Sequence, residues 1–219
     1  MVARFVLTSP PDVVRDYFGY AETPDFPPRP AILPTQPIAV VVAREFSHGA
    51  TRHFRLMRWG FLPGFVKNPA TFPLLLNARA ESVLEKPSFR AAFKRRRCLI
   101  PADGFYLWRD AGARRKQTFL VQAGNNELLA LAGLHETYLD ASGGEIDTAC
   151  ILTTTANAAI AGLSERAPVI VPRAALVPWL DHEAGSLDAA LALLRPAPEG
   201  LLRATPLAEA SEAGDDTFR

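Results

Sequence analysis

Cysteine is almost absent: Cys98 and Cys150 are the only two in 219 residues. That excludes a disulfide framework and fits a reducing, cytoplasmic setting. Histidine is also scarce, with four in the chain and no close Cys/His spacing. No structural zinc motif is therefore expected, and no metal or other cofactor. No apolar run approaches the ~20 residues that span a bilayer. The opening Met1-Val2-Ala3-Arg4-Phe5 has no basic stretch followed by an apolar one, so a secretory signal is not expected either. Internal repeats are missing, and so is a regular strand–helix–strand alternation, which argues against a parallel α/β sheet.

What is present is globular in composition, 48% hydrophobic and 21% charged. The length suits one domain, expected over residues 1–207. An acidic stretch follows at 208–219 (Glu209, Glu212, Asp215, Asp216) and is expected to be a flexible tail. The net charge of +1 conceals clusters. Arg52, Arg55 and Arg58 alternate with apolar residues, Lys94-Arg95-Arg96-Arg97 is one basic run, and Arg114-Arg115-Lys116 is another. Such clusters are either solvated faces and hairpin tips or patches that attract a polyanion.

The six prolines between residues 22 and 37 read as a surface loop, because proline fixes φ and removes a donor. Strands are predicted at Ile38 to Ala43, Phe54 to Trp59, Cys98 to Pro101, Leu128 to Leu134, Ile151 to Thr155 and Val169 to Val171. Phe105 to Arg109 and Gln117 to Gln122 form a hairpin with its tip at Asp110 to Lys116. Helices are predicted at Ser88 to Lys94, where Pro87 sits near the start and Phe89 and Phe93 share a face, at Asn157 to Gly162, at Ala174 to Leu180 and at Leu187 to Leu194. The class is α+β, with strands dominating the first three quarters.

Several ordered segments resemble one family. They are Pro34-Thr35-Gln36, Arg58-Trp59-Gly60, Asn77-Ala78-Arg79-Ala80-Glu81, Arg97-Cys98-Leu99-Ile100-Pro101-Ala102-Asp103-Gly104-Phe105-Tyr106, Leu131-Ala132-Gly133-Leu134, Thr153-Thr154-Thr155-Ala156-Asn157 and Arg166-Ala167-Pro168-Val169-Ile170. The chain is similar in these to the SOS-response-associated peptidases, the abasic-site processing proteins, from Arg4 to about Leu180. The resemblance implies a β-rich, partly barrel-like mixed sheet flanked by short helices. It also implies single-stranded or junction DNA with abasic sites as the partner, held in a basic cleft by a monomer of the DNA damage response. Such a protein is cytoplasmic, and nucleoid-associated when on DNA.

The chemistry the resemblance implies needs an N-terminal cysteine, whose amine and thiol capture an abasic aldehyde as a thiazolidine, with a glutamate and a histidine assisting. Here those positions read Val2, Leu107 and Ser164. No thiazolidine can form at Val2. Its α-amine, with a pKa of about 7.7–8.0 once Met1 is removed, can still attack an aldehyde to give an imine. Asn77 is expected to hydrogen-bond a sugar or base edge, or to cap a turn. Glu81 is a substitute acid or a structural salt-bridge partner. Arg4, Arg79 and Arg166 are expected on phosphates, with internal ion pairs as the alternative. Trp59 offers a stacking face or packs in the core. His48 and His53 are expected to face solvent, His135 to be a hydrogen-bonded structural residue or a new proton carrier, and both cysteines to be inert.

Overall fold

The computed structural model describes residues 2–44, 51–110, 116–140, 142–182 and 186–207. His48, most of the expected hairpin tip at 110–116 with Arg114 and Arg115, and the acidic stretch at 208–219 lie outside the described residues.

In chain order the elements are β1 (Phe5–Leu7), α1 (Pro11–Phe18), β2 (Arg29–Ile32), β3 (Pro37–Arg44), β4 (Thr51–Trp59), β5 (Asn77–Arg79), α2 (Pro87–Arg95), β6 (Arg97–Ala102), β7 (Gly104–Asp110) and β8 (Lys116–Ala123). They continue as β9 (Leu129–Leu139), β10 (Glu145–Thr155), α3 (Ala158–Ala161), β11 (Arg166–Pro168), α4 (Leu176–Leu180), α5 (Ser186–Ala192) and β12 (Leu202–Pro206). Five strands close on themselves: β10 pairs with β4, β4 with β3, β3 with β6, β6 with β9, and β9 returns to β10. Closure removes the exposed edges an open sheet would leave. A second sheet runs β12-β8-β7-β1-β2, and both sheets contribute to one apolar core.

The sequence explains why the barrel is built from these strands. All six residues of β6 are buried, as are Leu129 to Leu134 of β9, so these strands read as unbroken apolar runs rather than as alternating ones. Gly133 sits where they crowd: a Cβ there would lie 2.9 Å from Cys98 Sγ and 3.1 Å from the Cys150 carbonyl oxygen. α2 starts at Pro87 and buries Phe89, Ala92 and Phe93 at helical spacing.

The basic run after α2 divides. Lys94 and Arg95 are exposed, Arg96 is half-buried, and Arg97 is fully buried. Arg97 donates to the carbonyls of Trp179 and Phe93, both at 2.7 Å, and to that of Asp181, and lies 5.7 and 5.8 Å from the Phe93 and Trp179 ring centres. One of the four cations of that cluster is therefore a fastener for the α4 end, not part of a surface patch.

The α+β class stands, and several local expectations change. The proline-rich loop contains β2, a strand that pairs only with β1 and so tolerates Pro30 at an edge. The strand expected at Val169 to Val171 forms earlier, as β11; Ile170 keeps a single bridge to Leu131. α1 and β12 were not expected from the sequence; α1 buries Val14 and Phe18 at helical spacing and ends at left-handed Gly19. His53 does not simply face solvent: its Nδ1 lies 2.6 Å from the Glu22 carboxylate, which also accepts the Phe54 N–H.

Candidate functional site

The C-terminal end of β10 gathers the conspicuous polar residues. There β5 lies alongside β10 in parallel, with Asn77 opposite Ile151 and Arg79 opposite Thr153. On the other side β11 pairs antiparallel, with Arg166 opposite Thr155. Glu81 follows β5 in a 3-10 turn and reaches across β10 to Arg166. Arg166 Nη1 and Nη2 donate to Glu81 Oε1 and Oε2, each at 2.8 Å, and Nη2 also donates to the Thr153 carbonyl at 2.6 Å. The Arg166 fork holds the Glu81 carboxyl below its ordinary range, so Glu81 is ionised near neutral pH. It accepts hydrogen bonds there and has no proton to give. Glu81 and Arg166 thus form an ion pair across the end of β10.

Asn77 meets the N-terminus. Its Nδ2 donates to the Val2 carbonyl at 2.8 Å, while its Oδ1 is buried with no hydrogen-bond partner. The Val2 side chain is buried in the same apolar cluster as Phe5, Phe105 and Leu107. β1 then pairs with β7, so that Phe105 and Leu107 point inward while Tyr106 and Trp108 stand half-buried on the other face. Arg4 lies over these two rings, 5.8 Å from the Tyr106 centroid and 5.4 Å from that of Trp108. Its Nε is buried without a hydrogen-bond partner. Period-two alternation in β7 was the signal that could have singled out Tyr106 and Trp108 as a pair.

Arg79 is exposed and makes no ion pair or side-chain hydrogen bond among the described residues. Ser164 is spoken for: its Oγ donates to the Arg166 carbonyl at 2.8 Å and accepts the Arg166 N–H at 3.2 Å. A hydroxyl closed into its own backbone turn has no base beside it to activate it. Trp59 does not offer a stacking face, contrary to the DNA-contact expectation. It is fully buried, 5.1 Å edge-on to Phe5, with its indole N–H donated to the Leu76 carbonyl at 3.1 Å. Cys98 and Cys150 are buried free thiols, and burial raises the pKa of both. His135 is on the barrel's far mouth, away from this cluster. Among the described residues no group of three His, Cys, Asp or Glu is placed to hold a metal ion, and no helix is long and apolar enough to cross a membrane.

A closed five-stranded α+β barrel with its N-terminus held beside a Glu–Arg clamp defines the structural class. The chain belongs to the SOS response associated peptidase (SRAP) family, whose model matches residues 1–211. It is 31% identical over 199 residues to the abasic site processing protein YoaM of Bacillus subtilis, covering 90% of this chain and 86% of that one, and 30% identical to YoqW of the same organism over the same length. The rat protein HMCES, also named an abasic site processing protein, is 28% identical over 170 residues, 64% of this chain and 48% of that one. Among solved structures, a Bacteroides thetaiotaomicron protein superposes with a TM-score of 0.79 at 21% identity, covering 94% of this chain and 92% of that one. A Bordetella bronchiseptica protein gives 0.78 at 24%, covering 94% and 99%. These two likenesses establish the fold.

Proposed function

We propose that this protein binds single-stranded or junction DNA carrying abasic sites, as part of the DNA damage response, and that thiol cross-linking has been lost. The observation that carries the reading is Arg79, an unpaired exposed guanidinium two residues along β5 from Asn77, which holds the Val2 carbonyl. Arg79 and Arg4 supply fixed positive charge to a phosphate backbone. Glu81 neutralises Arg166 and fixes its orientation. The protein acts as a monomer of one domain spanning residues 1–207, in the cytoplasm, and nucleoid-associated when bound.

The same reading says what chemistry remains. With Met1 removed, the Val2 amine attacks the aldehyde carbon of an opened abasic sugar, and loss of water leaves an iminium. That cation acidifies the neighbouring C–H; the proton goes to water, the C3′–O bond breaks, and hydrolysis of the iminium returns the amine. Asn77 fixes where the amine sits. Leu107 and Ser164 contribute no proton transfer, and such groups are worth roughly 10²–10⁴-fold each, so the reaction is slow; the imine link is reversible until the C3′–O bond breaks. A second reading, a silent module that shields damaged DNA or partners an active relative, is favoured by the buried Val2 side chain. Incubation with abasic oligonucleotide and borohydride separates the two. Reduction of an iminium leaves a stable adduct whose mass maps to Val2, whereas DNA binding with no adduct selects the silent module. No preference for oligonucleotide over neutral competitors at low salt would refute both.

A further inference from the structure

The end of the barrel remote from the Glu81–Arg166 pair opens into a cavity of about 330 Å³. Its acidic wall at Asp147 is seven residues back along β10 from Thr154, roughly 23 Å of extended strand. Arg55 of β4, Arg95 and Arg96 at the end of α2, His135 of β9 and His182 beyond α4 face it. It lies outside the DNA reading given above and holds the part of the Lys94–Arg97 run that the fold does not consume.

Among the described residues, not every guanidinium donor there has an acceptor. Arg96 Nη2 is bound to the Glu136 carboxylate at 2.7 Å, but Arg96 Nε is buried with no hydrogen-bond partner. Arg55 and Arg95 make no ion pair among the described residues. Two acids also face the cavity. Asp147 Oδ1 already accepts the Thr137 hydroxyl at 2.6 Å, and Glu145 stands exposed at the rim, where water screens it. A buried N–H donor without an acceptor is costly, and planar guanidinium groups match tetrahedral oxyanions.

We propose that this far mouth is an oxyanion site of the phosphate class, with Arg95, Arg96 and Arg55 as its donors. Burial, with Arg97, His135 and Arg96 nearby outweighing Asp181, lowers the His182 pKa to about 4, so the imidazole is neutral at pH 7.

Calorimetric titration of the full chain with inorganic phosphate at pH 7 tests the site. Saturable binding is expected, weakened roughly tenfold by Arg95→Gln or Arg55→Gln, each loss being that of a charge-assisted hydrogen bond. Arg90→Gln, exposed on the same helix but outside the cavity, should bind as the parent does. Oligonucleotide affinity in the same variants identifies the source of the phosphate. Unchanged affinity marks a free anion, and a parallel loss marks a backbone phosphate. Absence of saturation, or equal binding by Arg95→Gln, Arg55→Gln and parent, overturns the proposal. Arg79→Ala leaves phosphate binding here intact, so failure of the DNA reading is separable from failure of this one.

Discussion

Two arginines, one toward each end of the barrel, show how burial changes what a guanidinium does. Arg97 is sealed between Phe93 and Trp179 and spends its donors on main-chain carbonyls and Ser186 Oγ. Burial lowers its pKa to about 10, with the Asp181 charge opposing, so it stays protonated at neutral pH. Arg166 keeps a carboxylate partner, but the Glu81 side chain is 50% exposed and the Arg166 side chain 21%. The first ties a helical segment to the core and cannot leave. The second crosses the end of a strand in partial contact with water, where an incoming anion can compete with Glu81 for it. Position relative to the core, more than residue type, separates a buried fastener from a partly exposed ion pair.

The sharpest way to break this comparison is to remove each cation in turn. Arg97→Met should cost about 3 kcal/mol or more, because the carbonyls of Phe93, Trp179 and Asp181 lose their donor inside the protein. Arg97→Lys should recover only part of this, since an ammonium cannot span the same fork of acceptors. Arg166→Met should cost only about 1 kcal/mol, as expected for a partly exposed pair. Urea midpoints at constant m-value measure all three, and equal losses for Arg97→Met and Arg166→Met would erase the distinction.

How far the sequence revealed this follows from the same physics. The strands of the barrel were legible because β3, β6 and β9 are long apolar runs, and the hairpin of β7 with β8 was legible from its flanking apolar segments. β2 was hidden by its prolines, and α1 is only eight residues long and opens on Pro11, next to Pro10. Side-chain partners were harder. Glu81 and Arg166 are 85 positions apart and meet only because β5 and β11 flank the same end of β10. Lys94 to Arg97 looked uniform as a string, yet the turn from α2 into β6 sends Arg97 inward and leaves Arg95 outside. Trp59 read as either a stacking face or a core residue, and the closure of β4 onto β10 buries it.

The contrast between paired and unpaired cations sharpens at Arg79, with a smaller expected effect on free energy. Arg79→Ala should weaken oligonucleotide binding several-fold, across sequences, and reduce the slope of log affinity against log salt by roughly one. Anisotropy titrations at 50 and 200 mM salt read both quantities. Arg166→Ala should change the slope by less, because its charge is already matched by Glu81. An unchanged slope for Arg79→Ala would remove that residue from the interface.

Restoring the missing groups tests the loss of cross-linking. Val2→Cys alone should give little borohydride-independent adduct if proton transfer limits the reaction, and Val2→Cys with Leu107→Glu and Ser164→His should give more. Leu107 is buried, so the new carboxyl carries a desolvation cost that raises its pKa, which suits an acid but lowers stability. Equal yields from both proteins would show that the acid and imidazole are dispensable.

The smallest effect comes from titrating the exposed end itself. The Glu81 carboxyl lies below its ordinary value of 4.5 in the folded protein, chiefly through Arg166. A carboxyl depressed in this way binds fewer protons folded than unfolded, so it adds stability above the unfolded pKa and loses it as pH falls through the folded one. Its exposure screens the pair, and the contribution at pH 7 should be below about 1 kcal/mol. Glu81→Gln should therefore destabilise slightly at pH 7 and less at pH 3, below the ordinary carboxyl value. The difference between variant and parent urea midpoints at the two pH values isolates this one group from the other carboxylates. The same gap at both values would mean that the Arg166 charge does not hold Glu81 ionised, and that geometry alone keeps the pair in place.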